Sequence, residues 1–261
     1  MVMNQESKVS ITSFFVLTII FTIPAYVLIT LTGLNIILTP EMVFAFVPLS
    51  VIAPICAALV LTYRKSGRTG VKKLLKRSFD YKRVKNKKWF LPTLLLMPLL
   101  FSLVLGVSFL LEQELFPAPM PLIAAPIALI MFFLAALFEE VGWMGYAFEP
   151  MSNRWGLFKS IMLLGVIWGL WHVPMFIFSM PEPEMIVAQV IVLIALRFII
   201  VWLYSNTGKS VFIAILFHAI YNVCMFVVPV NFVVTAIIMS ISATLILYFW
   251  SINQKAVTPI A

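Results

Sequence analysis

Residues 64–88 read RKSGRTGVKKLLKRSFDYKRVKNKK and hold 12 of the chain's 18 lysines and arginines. On either side the sequence turns apolar, over 42–63 before and 89–111 after. Each flank has about the 20 residues a helix needs to cross a bilayer. A basic loop between two such runs is expected on the cytoplasmic side. Working outward gives eight candidate spans: 11–34, 42–63, 89–111, 120–147, 158–178, 185–205, 209–229 and 231–252. Alternate loops then share a side. The side of the basic loop (1–10, 64–88, 149–157, 206–208 and 253–261, with Lys159 and Lys209 at helix starts) collects 17 of the 18 basic residues. The other side (35–41, 112–119, 179–184 and 230) has none and carries five acids, Glu41, Glu112, Glu114, Glu182 and Glu184. A wrong segment count would mix the two sets. The expected fold is all-α: a polytopic membrane helical bundle of about eight spans, one domain over 1–261, both termini cytoplasmic.

Composition agrees. Of 261 residues, 63% are apolar and 11% charged, against about 45–50% and roughly 25% in soluble domains. The mean hydropathy is +1.09. A soluble enzyme, a disordered chain and a secreted disulfide scaffold are excluded. A net charge of +8 could suggest nucleic acid in a soluble protein. Placed beside apolar spans it addresses membrane lipids, and no nucleic-acid partner is expected. The only cysteines, Cys56 and Cys224, lie in apolar stretches and say nothing about redox compartment. The first span is too long for a signal-peptide core and no small-residue cleavage site follows it, so it is read as retained. No internal repeat is visible. Within the basic loop, Val71, Leu74 and Leu75 recur at helical spacing among Lys72, Lys73, Lys76 and Arg77. This predicts a short helix in Gly70–Asp80, apolar side in lipid and basic side toward anionic headgroups. The plainer reading is a solvated loop that only sets topology.

Ionisable residues inside membrane helices are costly and are functional candidates by default. Here they are Glu139 and Glu140 in the fourth span, His172 in the fifth, Arg197 in the sixth and His218 in the seventh, with Asn222 one turn after His218. Both histidines of the protein are on this list. With the fourth span ending near Ala147, the glutamates lie about 10 Å from the inner end, His218 about 13 Å and Arg197 near 15 Å. The expectation is a chamber facing the cytosol. Residues four apart share a helix face, so His218 pairs with Asn222 and Trp168 with His172, and Pro174 kinks or ends the helix just beyond. Adjacent Glu139 and Glu140 diverge by about 100°, one toward the chamber and one toward a neighbouring helix. Such a pair suits acid–base work on water. Trp143, Trp168 and Trp171 read as packing.

Three motifs carry a resemblance. Glu139-Glu140-Val141-Gly142-Trp143-Met144-Gly145-Tyr146, Trp168-Gly169-Leu170-Trp171-His172-Val173-Pro174 and Phe217-His218-Ala219-Ile220-Tyr221-Asn222 resemble, in order, the motifs of the CPBP intramembrane proteases. These are the type II CAAX prenyl proteases and bacteriocin-processing relatives, also called the Abi family. The match runs from about Pro48 to Asn222, and Pro54 to Leu75 resembles the family's approach to its basic loop. The resemblance implies an intramembrane endopeptidase hydrolysing a peptide bond. It makes Glu139 the general base on water, assisted by His172, with His218 and Asn222 stabilising the oxyanion and Glu140 a supporting acid. The substrate would be a peptide or membrane-protein segment, a prenylated one among the candidates. No cofactor is expected, since a His-Glu-x-x-His motif is missing; the alternative is zinc held by His172, His218 and a glutamate. Where the family's first motif has arginine, this chain has Met144. Arg197 is the one cation left in an apolar segment, and a two-point Arg197–Glu140 pair would satisfy both charges; the alternative is an arginine snorkelling to the headgroups. Other classes weighed are a non-catalytic immunity or scaffold protein of the same fold and a proton-coupled transporter.

Overall fold

The structure, a computed structural model, describes residues 11–39, 42, 45–180 and 182–257, with side chains to Ile252. Glu41, residues 1–10 and 258–261, and the side chains of 253–257, all used in the charge count, lie outside the described residues. Among the described residues there are ten α-helices: α1 (Ile11–Gly33), α2 (Val47–Val51), α3 (Ala53–Lys76), α4 (Phe90–Leu110), α5 (Ala125–Gly142), α6 (Phe148–Trp155), α7 (Leu157–Ser179), α8 (Pro183–Asn206), α9 (Val211–Val227) and α10 (Phe232–Val257). Among the described residues seven spans are long and apolar enough to cross a membrane, and Val211–Val227 is an eighth, shorter apolar helix. The chain is a polytopic helical membrane bundle.

Lipid cannot satisfy a backbone N–H or C=O, so apolar runs of this length fold as helices. Their outer faces stay apolar. Helix α1 exposes Val16, Ile19, Ile20, Ile23 and Val27 while burying Phe14, Thr18, Thr22, Ala25 and Ile29. Its buried threonines satisfy themselves internally: Thr18 Oγ1 donates to the Phe14 carbonyl and Thr22 Oγ1 to that of Thr18. Helix α8 is the axis of the bundle, with Val192, Leu196, Ile199, Ile200 and Leu203 fully buried between α7 and α10.

The fourth span differs from expectation. It does not end near Ala147. Helix α5 passes through a π-turn at Trp143–Ala147 and continues as α6 to Trp155. Those eight further residues add about 12 Å on the side of the basic loop. Where α5 crosses α3, a side chain on Gly142 would put a Cβ 2.6 Å from the Pro54 carbonyl oxygen. Helix α7 also outruns its reading, continuing through Pro174 to Ser179.

The two ends of the bundle are built differently. At the basic end, α3 breaks at Gly67, whose φ of +58° suits glycine, and a helical stretch then runs to Lys76. The expected helix is there, but its apolar side is not given over to lipid. Leu74 is buried in the core and lies against Gly145, although Leu75 and Phe79 remain exposed. Below it, Arg77 donates to the Gly145 carbonyl at 2.8 Å and to the Tyr204 hydroxyl at 2.8 Å. Asp80 accepts from Ser210 Oγ and from the Phe212 N–H, closing the start of α9. Arg83 Nε donates to the Gly208 carbonyl. At the other end the 111–121 loop is tied to the α9–α10 turn by an antiparallel bridge between Phe116 and Val230 and by Met120 N–H donating to the Phe226 carbonyl.

Candidate active site

A cavity of about 250 Å³ lies inside the bundle, lined by Glu139, Trp168, His172, His218 and Asn222 among mostly apolar neighbours. Four of the five residues singled out from sequence therefore meet at one space. The fifth, Glu140, stands behind it. The two glutamates diverge as adjacent helical residues must: Glu139 lines the cavity and Glu140 is fully buried toward α8 and α9.

Glu140 is held from two sides. Arg197 Nη1 donates to its Oε2 at 2.7 Å, with both side chains fully buried. His218 Nδ1 lies 3.0 Å from its Oε1. The expected pair across helices is present, but as a single contact instead of a fork, because His218 occupies the second oxygen. The guanidinium also lies over the Trp168 ring, 4.1 Å from its centroid, a cation–π contact that offsets part of the cost of a buried arginine. Arg197 does not snorkel.

Trp168 is the residue the sequence undervalued. Its Nε1–H donates to Glu139 Oε2 at 2.6 Å. Its carbonyl lies 2.8 Å from His172 Nδ1, and its ring meets His172 and His218 edge-on, at 5.3 and 5.1 Å between centroids. One indole thus touches a glutamate, both histidines and the arginine. The signal was its place four residues before His172, but an apolar helix rich in tryptophan makes packing the default reading.

These contacts fix tautomers. A carbonyl only accepts, so His172 Nδ1 carries the hydrogen and its Nε2 offers a lone pair. The charged partner of His218 is likewise an acceptor, so His218 Nδ1 carries a hydrogen too. Around the site Tyr26 donates to the Trp171 carbonyl, Trp171 Nε1 to Thr22 Oγ1 at 3.0 Å and Gln189 Nε2 to the Tyr221 hydroxyl at 2.8 Å, while Gln189 Oε1 is buried without a partner among the described residues. Among the described residues no group of three His, Cys, Asp or Glu stands together as metal ligands, and both oxygens of Glu140 are engaged.

The cavity's lining includes Phe116, Pro117 and Pro119, Ser179 and Met180 at the end of α7, and Val230. These lie at the end of the bundle away from the basic loop. On the basic side, Met144, Ala147, Met151 and Val211 are fully buried.

Residues 119–224 match the family model described as Type II CAAX prenyl endopeptidase Rce1-like. This stretch is similar to the Rce1-like type II CAAX prenyl endopeptidases. The Rce1-like stretch contains Glu139, Glu140, Trp168, His172, Arg197, His218 and Asn222; α1, the basic loop and α10 lie outside it. The protein named CAAX prenyl protease 2 of Methanococcus maripaludis is 29% identical over 214 residues, covering 75% of this chain and 78% of that protein. Both similarities support a membrane protease.

Proposed function

We propose that the chain cleaves a peptide bond inside the membrane by activating water between Glu139 and His172. One observation carries this: a carboxylate and an imidazole lone pair line the same cavity, and one tryptophan orients both. The Trp168 N–H engages Glu139 Oε2 and leaves Oε1 for water. A water donating one hydrogen to Glu139 and one to His172 Nε2 turns its lone pairs away from both, toward a substrate carbonyl. As oxygen bonds to carbon, its proton passes to Glu139. The carbonyl becomes an oxyanion, which the Asn222 amide and an Nε2–H of a protonated His218 stabilise. Glu140 orients the His218 ring by accepting from Nδ1, as a buried acid does behind a catalytic histidine. Glu139 then gives its proton to the leaving amine as the C–N bond breaks. This scheme uses no metal or other cofactor.

The membrane orientation follows the charge bias: the 64–88 loop and both termini are cytoplasmic. Substrates include prenylated C-terminal peptides, as the name of the methanogen relative suggests, and other membrane-anchored segments. A scaffold role drew its support from Met144. With Arg197 supplying Glu140's cation, that support is removed.

The test is Glu139→Gln. Removing a general base costs about 10²–10⁴ in rate, so comparative proteomics of membrane peptides should show cleavage products lost with expression unchanged. A purified Glu139→Gln chain cleaving at the parent rate refutes the assignment.

A further inference from the structure

We infer that Gln189 and Tyr221 form a second polar contact point in the cavity, one that holds the backbone of the peptide substrate close to the bond to be cut. The inference rests on the reading of the cavity as the proteolytic site. Both side chains line that cavity together with Glu139, His172, His218 and Asn222. Both are almost wholly buried, Gln189 at 5% exposure and Tyr221 at 2%. Neither takes part in the activation of water.

Two hydrogen-bonding functions are left open there. Gln189 Nε2 donates to the Tyr221 hydroxyl oxygen at 2.8 Å. This leaves the amide oxygen and the phenolic hydrogen. Gln189 Oε1 has no partner among the described residues, and the Tyr221 hydroxyl donates to none of them. A buried acceptor without a partner is costly, and the Met175, Leu193, Met225 and Phe226 side chains of the cavity have no donor to offer it. Packing alone does not call for an amide at this place. Between Glu184 and Arg197 every other residue of α8 is apolar, and a leucine would fill the position without leaving an open oxygen.

Helix register puts the pair within reach of a bound peptide. On α9, Tyr221 is three residues after His218 and directly before Asn222, so it shares a side of the helix with His218. Its ring is held edge-on by Phe101, 6.1 Å between centroids. On α8, Gln189, Leu193 and Arg197 recur every four residues along one face. Arg197 meets Glu140 behind the cavity, Leu193 is part of its wall, and Gln189 stands about 12 Å along the helix from Arg197. About four residues of extended chain cover that distance. An extended peptide presents the N–H and the C=O of one residue along the same edge. The N–H donates to Gln189 Oε1, and the C=O accepts from the Tyr221 hydroxyl. Main-chain contacts of this kind bind a segment without choosing its side chains, and they fix which carbonyl lies against the water at Glu139 and His172.

The test measures binding apart from cleavage. The full chain in detergent carries Glu139→Gln to stop turnover. The probe is a fluorescent prenylated C-terminal peptide whose backbone N–H groups are replaced, one at a time, by ester oxygens. One ester should weaken binding about two- to tenfold, the range of a single neutral hydrogen bond. Gln189→Leu should weaken binding of the all-amide peptide by a similar factor and should no longer distinguish that ester from the amide. Gln189→Met, unbranched and of similar length, repeats the measurement where leucine disturbs packing. A structural role for Gln189 would lower the affinity of every peptide alike and leave the ester penalty in place. The inference is overturned if the amide peptide does not bind, if no ester weakens binding, or if the ester penalty survives in the Gln189 variants. Cleavage of the same peptide with Glu139 intact is read separately. No cleavage, or equal cleavage by Glu139→Gln, fails the protease reading while the ester pattern still decides the contact.

Discussion

Trp168 shows how a neutral side chain can organise ionised ones. Its single N–H goes to Glu139, its carbonyl meets His172 Nδ1, and its face carries the Arg197 guanidinium. Trp168→Phe keeps an aromatic face and removes the donor together with the pyrrole ring that carries it. A hydrogen bond to a charged group is worth about 1.5–3 kcal/mol, which is roughly ten- to hundredfold in rate. The loss should fall on kcat with KM little changed; steady-state kinetics in detergent check this. Arg197 answers to a second test. Removing one member of a buried pair costs about 3–5 kcal/mol, so Arg197→Leu should lower both thermal stability and activity. Met144→Arg added to it should restore part of each, because it returns a cation beside Glu140 from α5's own continuation. Parent-like stability in Arg197→Leu alone would deny the pair any role.

At the scale of elements, close helix approach and the π-turn decide where the glutamates point. Gly142 lies directly after the glutamate pair and against the backbone of Pro54. Gly142→Ala forces a backbone-to-backbone shift, and overpacking of this kind costs about 1–3 kcal/mol. The midpoint of thermal unfolding in detergent should fall, with activity falling further as α5 moves off α3. Seven long apolar helices and a shorter eighth were legible from hydropathy, since it is a local property of a run. The π-turn was not. Nothing in Trp-Met-Gly-Tyr-Ala distinguishes one extra residue per turn from a regular helix, so the span was ended early. The fate of Leu74 was hidden for a related reason: periodicity shows that a face is apolar, and only packing shows whether lipid or Gly145 covers it.

For the molecule as a whole, the proposed chemistry uses side chains alone. A strong zinc chelator should leave peptide cleavage unchanged; activity lost on chelation and regained with zinc would make His172 and His218 ligands instead. The Glu140–Arg197 contact has a further consequence, in the making of the protein. Arginine at the centre of a lone membrane helix costs about 2.5–3.5 kcal/mol to insert, and two of its nitrogens, Nε and Nη2, have no hydrogen-bond partner even in the finished bundle. Synthesis runs from α5 to α8, so the acid is already in the bilayer when the base emerges. The eighth helix is a poor tenant of lipid until it finds the fifth. Insertion and assembly are thereby coupled, and a chain stalled before that meeting presents quality control with an unpaired charge.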